Sequence, residues 1–169
     1  MAAADETTRL SSLLAQLPAL THLLDLGCGI CADVPTYFAA GAQRICAVDW
    51  DRIALRAARR IHRSKALCLI YGDVRTIAFA PRAFDAILIR HPDVERAPLI
   101  WRTALARAPR WLKHTGRLLL TTYSLTELSA LRSICRAARL RAVPLDEHRL
   151  KPAPLSGRDS YALCFALNT

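Results

Sequence analysis

The sequence predicts an α/β chain: a doubly wound, mostly parallel sheet in three α/β/α layers, closing with a C-terminal antiparallel hairpin. Three observations carry this expectation. Short apolar runs alternate with amphipathic stretches over most of the chain. Acidic residues and glycines gather where the apolar runs end. The last two apolar runs, RAVPLDEHRL and YALCFALN, have no helical stretch between them. Parallel neighbours need a crossover, usually a helix, whereas two strands joined by a loop pair antiparallel. At 169 residues the chain fits one domain, residues 1 to 169.

An N-terminal amphipathic helix is expected at about residues 5 to 17, clearest over 6 to 16 and ended before Pro18. THLLDL, residues 21 to 26, is a short apolar strand running into Gly27. Residues 33 to 40 follow as a helix, with Asp33 as N-cap and Gly41 closing it. RICAVD at 44 to 49 is the second strand. WDRIALRAARRIHR supplies the next helix, with Ile53, Ala57 and Ile61 on one face, arginines on the other, and Asp51 as its cap. ALCLIYGD at 66 to 73 and FDAILIR at 84 to 90 are the third and fourth strands, the latter followed by a helix over 97 to 108. GRLLLTTYS at 116 to 124 is the fifth strand, before a helix over 125 to 140. RAVPLDEHRL at 141 to 150 and YALCFALN at 161 to 168, joined by KPAPLSGRDS, make the terminal pair.

The composition, 53% hydrophobic and 22% charged, is that of a globular chain and not a disordered one. Asp5 and Glu6 stand where a signal peptide carries positive charge, and Gln16, Thr21 and His22 interrupt the apolar stretch that follows. A soluble cytoplasmic protein, with no membrane partner, is the expectation. The six cysteines lie mostly among apolar residues, which favours reduced core thiols over a disulfide framework. The net charge is +10, and only Lys65, Lys113 and Lys151 are lysine. A basic surface is compatible with an anionic partner, nucleic acid included. The arginines are scattered along helical stretches without interleaved aromatics, and an arginine- and alanine-rich composition also fits a GC-rich coding sequence.

In an open α/β sheet, ligands bind beyond the carboxyl ends of the strands, at the switch point in strand order. That rule selects the loops 25 to 33, 49 to 51, 72 to 75, 90 to 94 and 122 to 124. They carry D-L-G-C-G, D-W-D, G-D-V and R-H-P-D in the first four. Asp25, Asp49 and Asp73 close three successive strands. One elongated ligand rich in hydroxyls and amines accounts for all three better than three separate helix caps.

These motifs, in this order, resemble those of the class I S-adenosylmethionine-dependent methyltransferases, whose fold is Rossmann-like. LLDLGCG at 23 to 29, VDWD at 48 to 51, YGDV at 71 to 74, FDAILI at 84 to 89 and GRLLLTT at 116 to 122 carry the resemblance, which spans nearly the whole chain. It implies methyl transfer with S-adenosyl-L-methionine as cofactor. By the same resemblance, Asp25 orients the first loop or meets the methionine amino group. Gly27 and Gly29 let the backbone approach the cofactor, and Cys28 accompanies that turn. Asp49 accepts both ribose hydroxyls, and Trp50 lies beside the adenine or ribose. Asp73 accepts from the adenine amino group, with the Val74 backbone amide near the ring.

A dinucleotide-binding protein shares the sheet but needs G-x-G-x-x-G, and Ala32 fills the third slot here. Cys28 and Cys31 also read as C-x-x-C, yet many relatives have glycine at the Cys31 position, which points to a slot for a small residue. A zinc site would need two further ligands, so no metal is expected. At the substrate end, His91 is the candidate general base, since imidazole titrates near neutrality. Asp93 is placed to orient it or bind substrate, and Arg90 to hold an anionic group. Tyr123 and Ser124 point to the same cleft. The [N/D]-P-P-[Y/F/W] motif of DNA amine methyltransferases is missing, and so is a ribose methyltransferase K-D-K-E tetrad. The acceptor stays open among RNA, protein and small molecules. A partner subunit, a homodimer or a non-catalytic scaffold role stays open too.

Overall fold

The computed structural model describes residues 9 to 146 and 161 to 168. Among the described residues, seven strands form one sheet: β1 (His22–Leu26), β2 (Arg44–Asp49), β3 (Leu67–Tyr71), β4 (Phe84–Arg90), β5 (Leu112–Thr122), β6 (Leu140–Val143) and β7 (Tyr161–Leu167). Helix α1 covers residues 9 to 14. It is followed by α2 (Val34–Ala39), α3 (Arg52–Ile61), α4 (Pro98–Trp111) and α5 (Leu125–Ala137).

The strand order is β3-β2-β1-β4-β5-β7-β6. The first five strands are parallel, and β7 runs antiparallel to both β5 and β6. The chain winds outward from β1 to β3, then returns to the other side of β1 with β4. That reversal opens a crevice at the carboxyl ends of β1 and β4. The dinucleotide-binding order 3-2-1-4-5-6 is parallel throughout, so the inserted antiparallel β7 sets this sheet apart.

Strand alternation builds the three layers. Leu24, Val48, Ile87, Leu118 and Leu120 face α4 and α5, where Leu105, Trp111 and Leu131 meet them. Leu23, Ile45, Ala47, Leu88 and Leu119 face the other way, toward Leu10, Leu13, Leu14, Tyr37 and Ala58. Each such buried Leu or Ile contributes about 1.5–3 kcal/mol. At the amino ends of the strands, Asp85 ties the sheet together. It accepts the His22 amide at 2.9 Å and the Lys113 ammonium at 2.9 Å.

Several expectations need correction. The buried residues of α3 are Leu55 and Ala58, whereas Ile53 and Ile61 are 78% and 60% exposed. At 100° per residue the Ile53–Ala57–Ile61 row lies well round the helix from the pair that meets the sheet. Asp33 occupies the N-cap position of α2 without a side-chain cap bond, because its carboxylate is paired with Arg90. Strand β5 starts at Leu112, directly from α4, because Phe84 pairs with Leu112 before a register irregularity. Gly116 lies in that irregular stretch, where a Cβ would stand 2.9 Å from the Lys113 carbonyl. Arg139 turns with φ +59 and ends the helical segment ahead of β6, short of the expected residue 140. Pro144 follows the four-residue β6; residues 147 to 150 of that expected strand, and the joining KPAPLSGRDS, lie outside the described residues.

All six cysteines are free thiols, with Cys31, Cys135 and Cys164 buried, Cys28 and Cys46 half-buried, and Cys68 exposed on edge strand β3. Among the described residues, no helix is long and apolar enough to cross a membrane.

Candidate active site

The loop after β1 is built on left-handed backbone. Gly27 has φ +80, Gly29 +54 and Cys31 +59. Glycine takes such angles without steric cost, whereas Cys31 holds a glycine-like conformation with a side chain attached. The amides of Gly27 and Cys28 both donate to the Val48 carbonyl, at 2.8 and 3.1 Å, which staples the loop to β2. The Gly29 amide donates to Asp49 Oδ2 at 2.7 Å, and the Asp51 amide to Asp49 Oδ1 at 2.8 Å. Asp51 in turn caps α3 by accepting from Ile53 and Ala54. One carboxylate thus joins the glycine loop to the start of α3.

A cleft of about 530 Å³ opens beside these residues, within the range of small-molecule sites. It brings together Gly27, Asp49, Trp50, Asp73, Val74, Arg90, His91 and Asp93 from the sequence-selected set. Asp25, Cys28 and Gly29 are not part of its lining, and neither, against expectation, are Tyr123 and Ser124. Asp25 is buried and accepts from the Tyr37 hydroxyl at 3.1 Å. Burial, reinforced by the nearby Asp33 charge, raises its carboxyl to about 7 against the opposing pull of Tyr37 and Arg90. Cys28 lies against Cys31, and that contact with burial pushes its thiol far up, away from the reactive thiolate.

Trp50 is 79% exposed at the lip of the cleft. Asp73 is held by Arg75, whose Nε donates to both carboxylate oxygens at 2.9 and 3.0 Å, with the Arg75 amide adding a bond at 2.8 Å. These bonds hold its carboxyl below the usual range. Arg90, at the end of β4, ion-pairs with Asp33. His91 has φ +50, and its ring stacks on Tyr123 with centroids 3.9 Å apart and planes 19° apart. Asp93 accepts the Arg96 amide at 3.0 Å and leads the chain into α4. Tyr123 is placed by a capping box: Glu127 accepts from Thr122 and from the amides of Tyr123 and Ser124, while Ser124 accepts the Glu127 amide.

Trp101 escaped the sequence reading. A Cβ on Gly27 would stand 3.4 Å from its Cη2, so this indole of α4 lies on the bare face of the first glycine. With Ala97 and Ile100 it walls the cleft on the α4 side. The available signal was a large aromatic in the first turns of the helix after β4, in a chain with three tryptophans. Another concavity, at the β6–β7 edge, shares none of the cleft's lining residues and adjoins Leu145, close to residues outside the described set.

Residues 23 to 116 match the family described as methyltransferase domain. The chain belongs to this family. The methyltransferase has the motifs of the class I superfamily, whose cofactor is S-adenosylmethionine. No curated protein matches it in sequence. Its fold is similar to that of CalS10, an S-adenosylmethionine-bound amino pentose methyltransferase of Micromonospora echinaspora. That likeness has a TM-score of 0.74 at 18% identity, covering 97% of this chain and 91% of the other. A TehB-like S-adenosylmethionine-dependent methyltransferase from Corynebacterium glutamicum matches at 0.68 and 20% identity, covering 94% and 87%. A chain from the complex of the Haloferax volcanii Trm112 methyltransferase activator with a methyltransferase matches at 0.73 and 15%, covering 99% and 95%.

The residues of the methyltransferase fit this cofactor. Each Asp49 oxygen accepts one amide, and a carboxylate offers about four acceptor sites, so each keeps capacity for a sugar hydroxyl. Among the described residues, nothing lies within 4 Å of where a Gly29 Cβ would be, which leaves the loop open to an approaching ligand.

Proposed function

We propose that the chain, as a single methyltransferase domain, moves a methyl group from S-adenosylmethionine to a nucleophile held over the Arg90–Asp93 loop. When bound, the cofactor supplies an electrophilic methyl group on a sulfonium centre. Asp49 binds the two ribose hydroxyls, and Trp50 covers the sugar or base with its exposed indole. The Val74 amide meets the adenine ring, and Asp73 meets the adenine amino group by sharing its carboxylate with Arg75. Trp101 closes the cleft over Gly27 and excludes water from the methionine end.

In-line transfer needs placement of the acceptor and, for a protonated nucleophile, removal of its proton. An imidazole nitrogen of His91 takes that proton, with the ring held flat by Tyr123. Arg90 is spent on Asp33, so its part is to lock the loop before α2 against the end of β4. Asp25, buried and partly protonated near neutrality, supports the loop through Tyr37.

The observation that carries this reading is the doubly bonded Asp49 carboxylate at the switch-point cleft. Titration calorimetry with S-adenosylmethionine tests it. The parent chain binds and Asp49→Ala loses affinity by tenfold or more, a factor expected from losing charge-assisted bonds; equal affinity in the two would refute the assignment. The acceptor is then found from the fraction of a cell extract that takes up tritiated methyl.

A further inference from the structure

The groove between α3 and the edge strand β3 belongs to no part of the methyl-transfer site. Arg52, Leu55 and Arg56 line it together with Arg59, Leu69 and Tyr71, around about 290 Å³. Four of the ten residues of α3 are arginine and none is acidic. Among the described residues, no carboxylate pairs with Arg52, Arg56 or Arg59. At 1.5 Å rise per residue these three guanidinium stems leave the helix about 6 and about 4.5 Å apart along its axis, forming one row of positive charge.

The fold also supplies the aromatic that the sequence spacing hides. Tyr71, at the end of β3, is 55% exposed, and the Arg52 guanidinium lies over its ring at 4.2 Å. Among the described residues, β3 is the edge of the sheet and no further strand covers this side. We infer that this groove binds single-stranded RNA. The arginine row tracks the phosphates, while the stacked Arg52–Tyr71 pair and the apolar floor of Leu55 and Leu69 receive unpaired bases. Flat stacking surfaces beside a basic track are the recognition mode of single strands. An acidic peptide would match the charge but has no use for the exposed ring and apolar floor. This inference is independent of the cofactor assignment, since its readout is binding alone.

Fluorescence anisotropy with a labelled oligouridylate, using the full chain, tests it. The triple variant R52Q/R56Q/R59Q is expected to bind at least tenfold more weakly. Its slope of log affinity against log salt should fall by about 2, at roughly 0.7 per lost phosphate contact on a single strand. Tyr71→Ala should weaken binding about tenfold with little change in salt slope, while Tyr71→Phe keeps the ring and binds like the parent. The control R102Q/R110Q/R132Q removes the same charge elsewhere and should cost less than about threefold. Melting curves establish that each variant is folded. The inference is overturned if both triples weaken binding equally, if polyglutamate competes as well as RNA, or if the parent shows no binding.

Discussion

Gly29 hangs its backbone amide on the Asp49 carboxylate at 2.7 Å, although the two residues belong to different strand-end loops. The acid after β2 therefore does two jobs: it shapes the glycine loop and it faces the cleft. Replacing Asp49 by Ala should weaken S-adenosylmethionine binding more than replacing Trp50 by Ala. The former removes the loop anchor as well as the proposed sugar contact. Calorimetry on both variants checks the order, and equal losses would sever the link between the two motifs.

Asp25 makes stability depend on pH. Its carboxyl stands at about 7 in the folded chain, against 3.8 for an ordinary Asp. The folded state keeps a proton that the unfolded chain releases, so this contribution is full below about pH 4 and is lost as pH rises through about 7. Asp25→Asn should remove that slope, worth at most about 1.4 kcal/mol per pH unit across the window. Urea midpoints for parent and variant at about pH 5 and about pH 8 measure it. The variant gains relative stability at the higher pH, and parallel pH profiles would contradict the assignment.

Cys31 sits at φ +59 with its side chain buried. Cys31→Gly should change stability by less than about 1 kcal/mol, since relief of backbone strain offsets the lost thiol. Cys31→Val places a β-branched residue in the left-handed region and should cost more than about 2 kcal/mol. Chemical denaturation separates them, and equal costs would mean the backbone angle is not what selects the residue.

Glu127 is buried and gathers three donors at the start of α5. Glu127→Ala leaves those donors without their acceptor and should destabilise the chain by about 1–3 kcal/mol. Because the same box places Tyr123 under His91, the variant should also slow methyl transfer; unchanged turnover would uncouple the helix cap from the site.

His91→Asn is expected to lower kcat by roughly 10²–10⁴-fold while leaving cofactor affinity alone, as loss of a general base does. His91→Gly should be as slow yet no less stable, since glycine accepts the φ of +50 without strain. Radiometric turnover on the labelled acceptor fraction decides this, and retained activity in both would assign His91 a packing role.

Strands β2 and β4 have the bounds that their apolar runs give, 44 to 49 and 84 to 90, and Asp51 caps α3 as expected. The parallel sheet with antiparallel closing strands was also legible, and so was the cofactor class. These features are local: they rest on periodicity, caps and motif order within a few residues, which the chain writes directly. The partners of the polar side chains were not legible. Asp33 reaches Arg90 rather than its own helix, and Trp101 covers Gly27. The rotation of α3, which buries Leu55 in place of Ile53, was hidden too. Each of these depends on which elements the sheet register sets side by side. Such contacts form between residues distant in the chain, and nothing in their immediate neighbours encodes them.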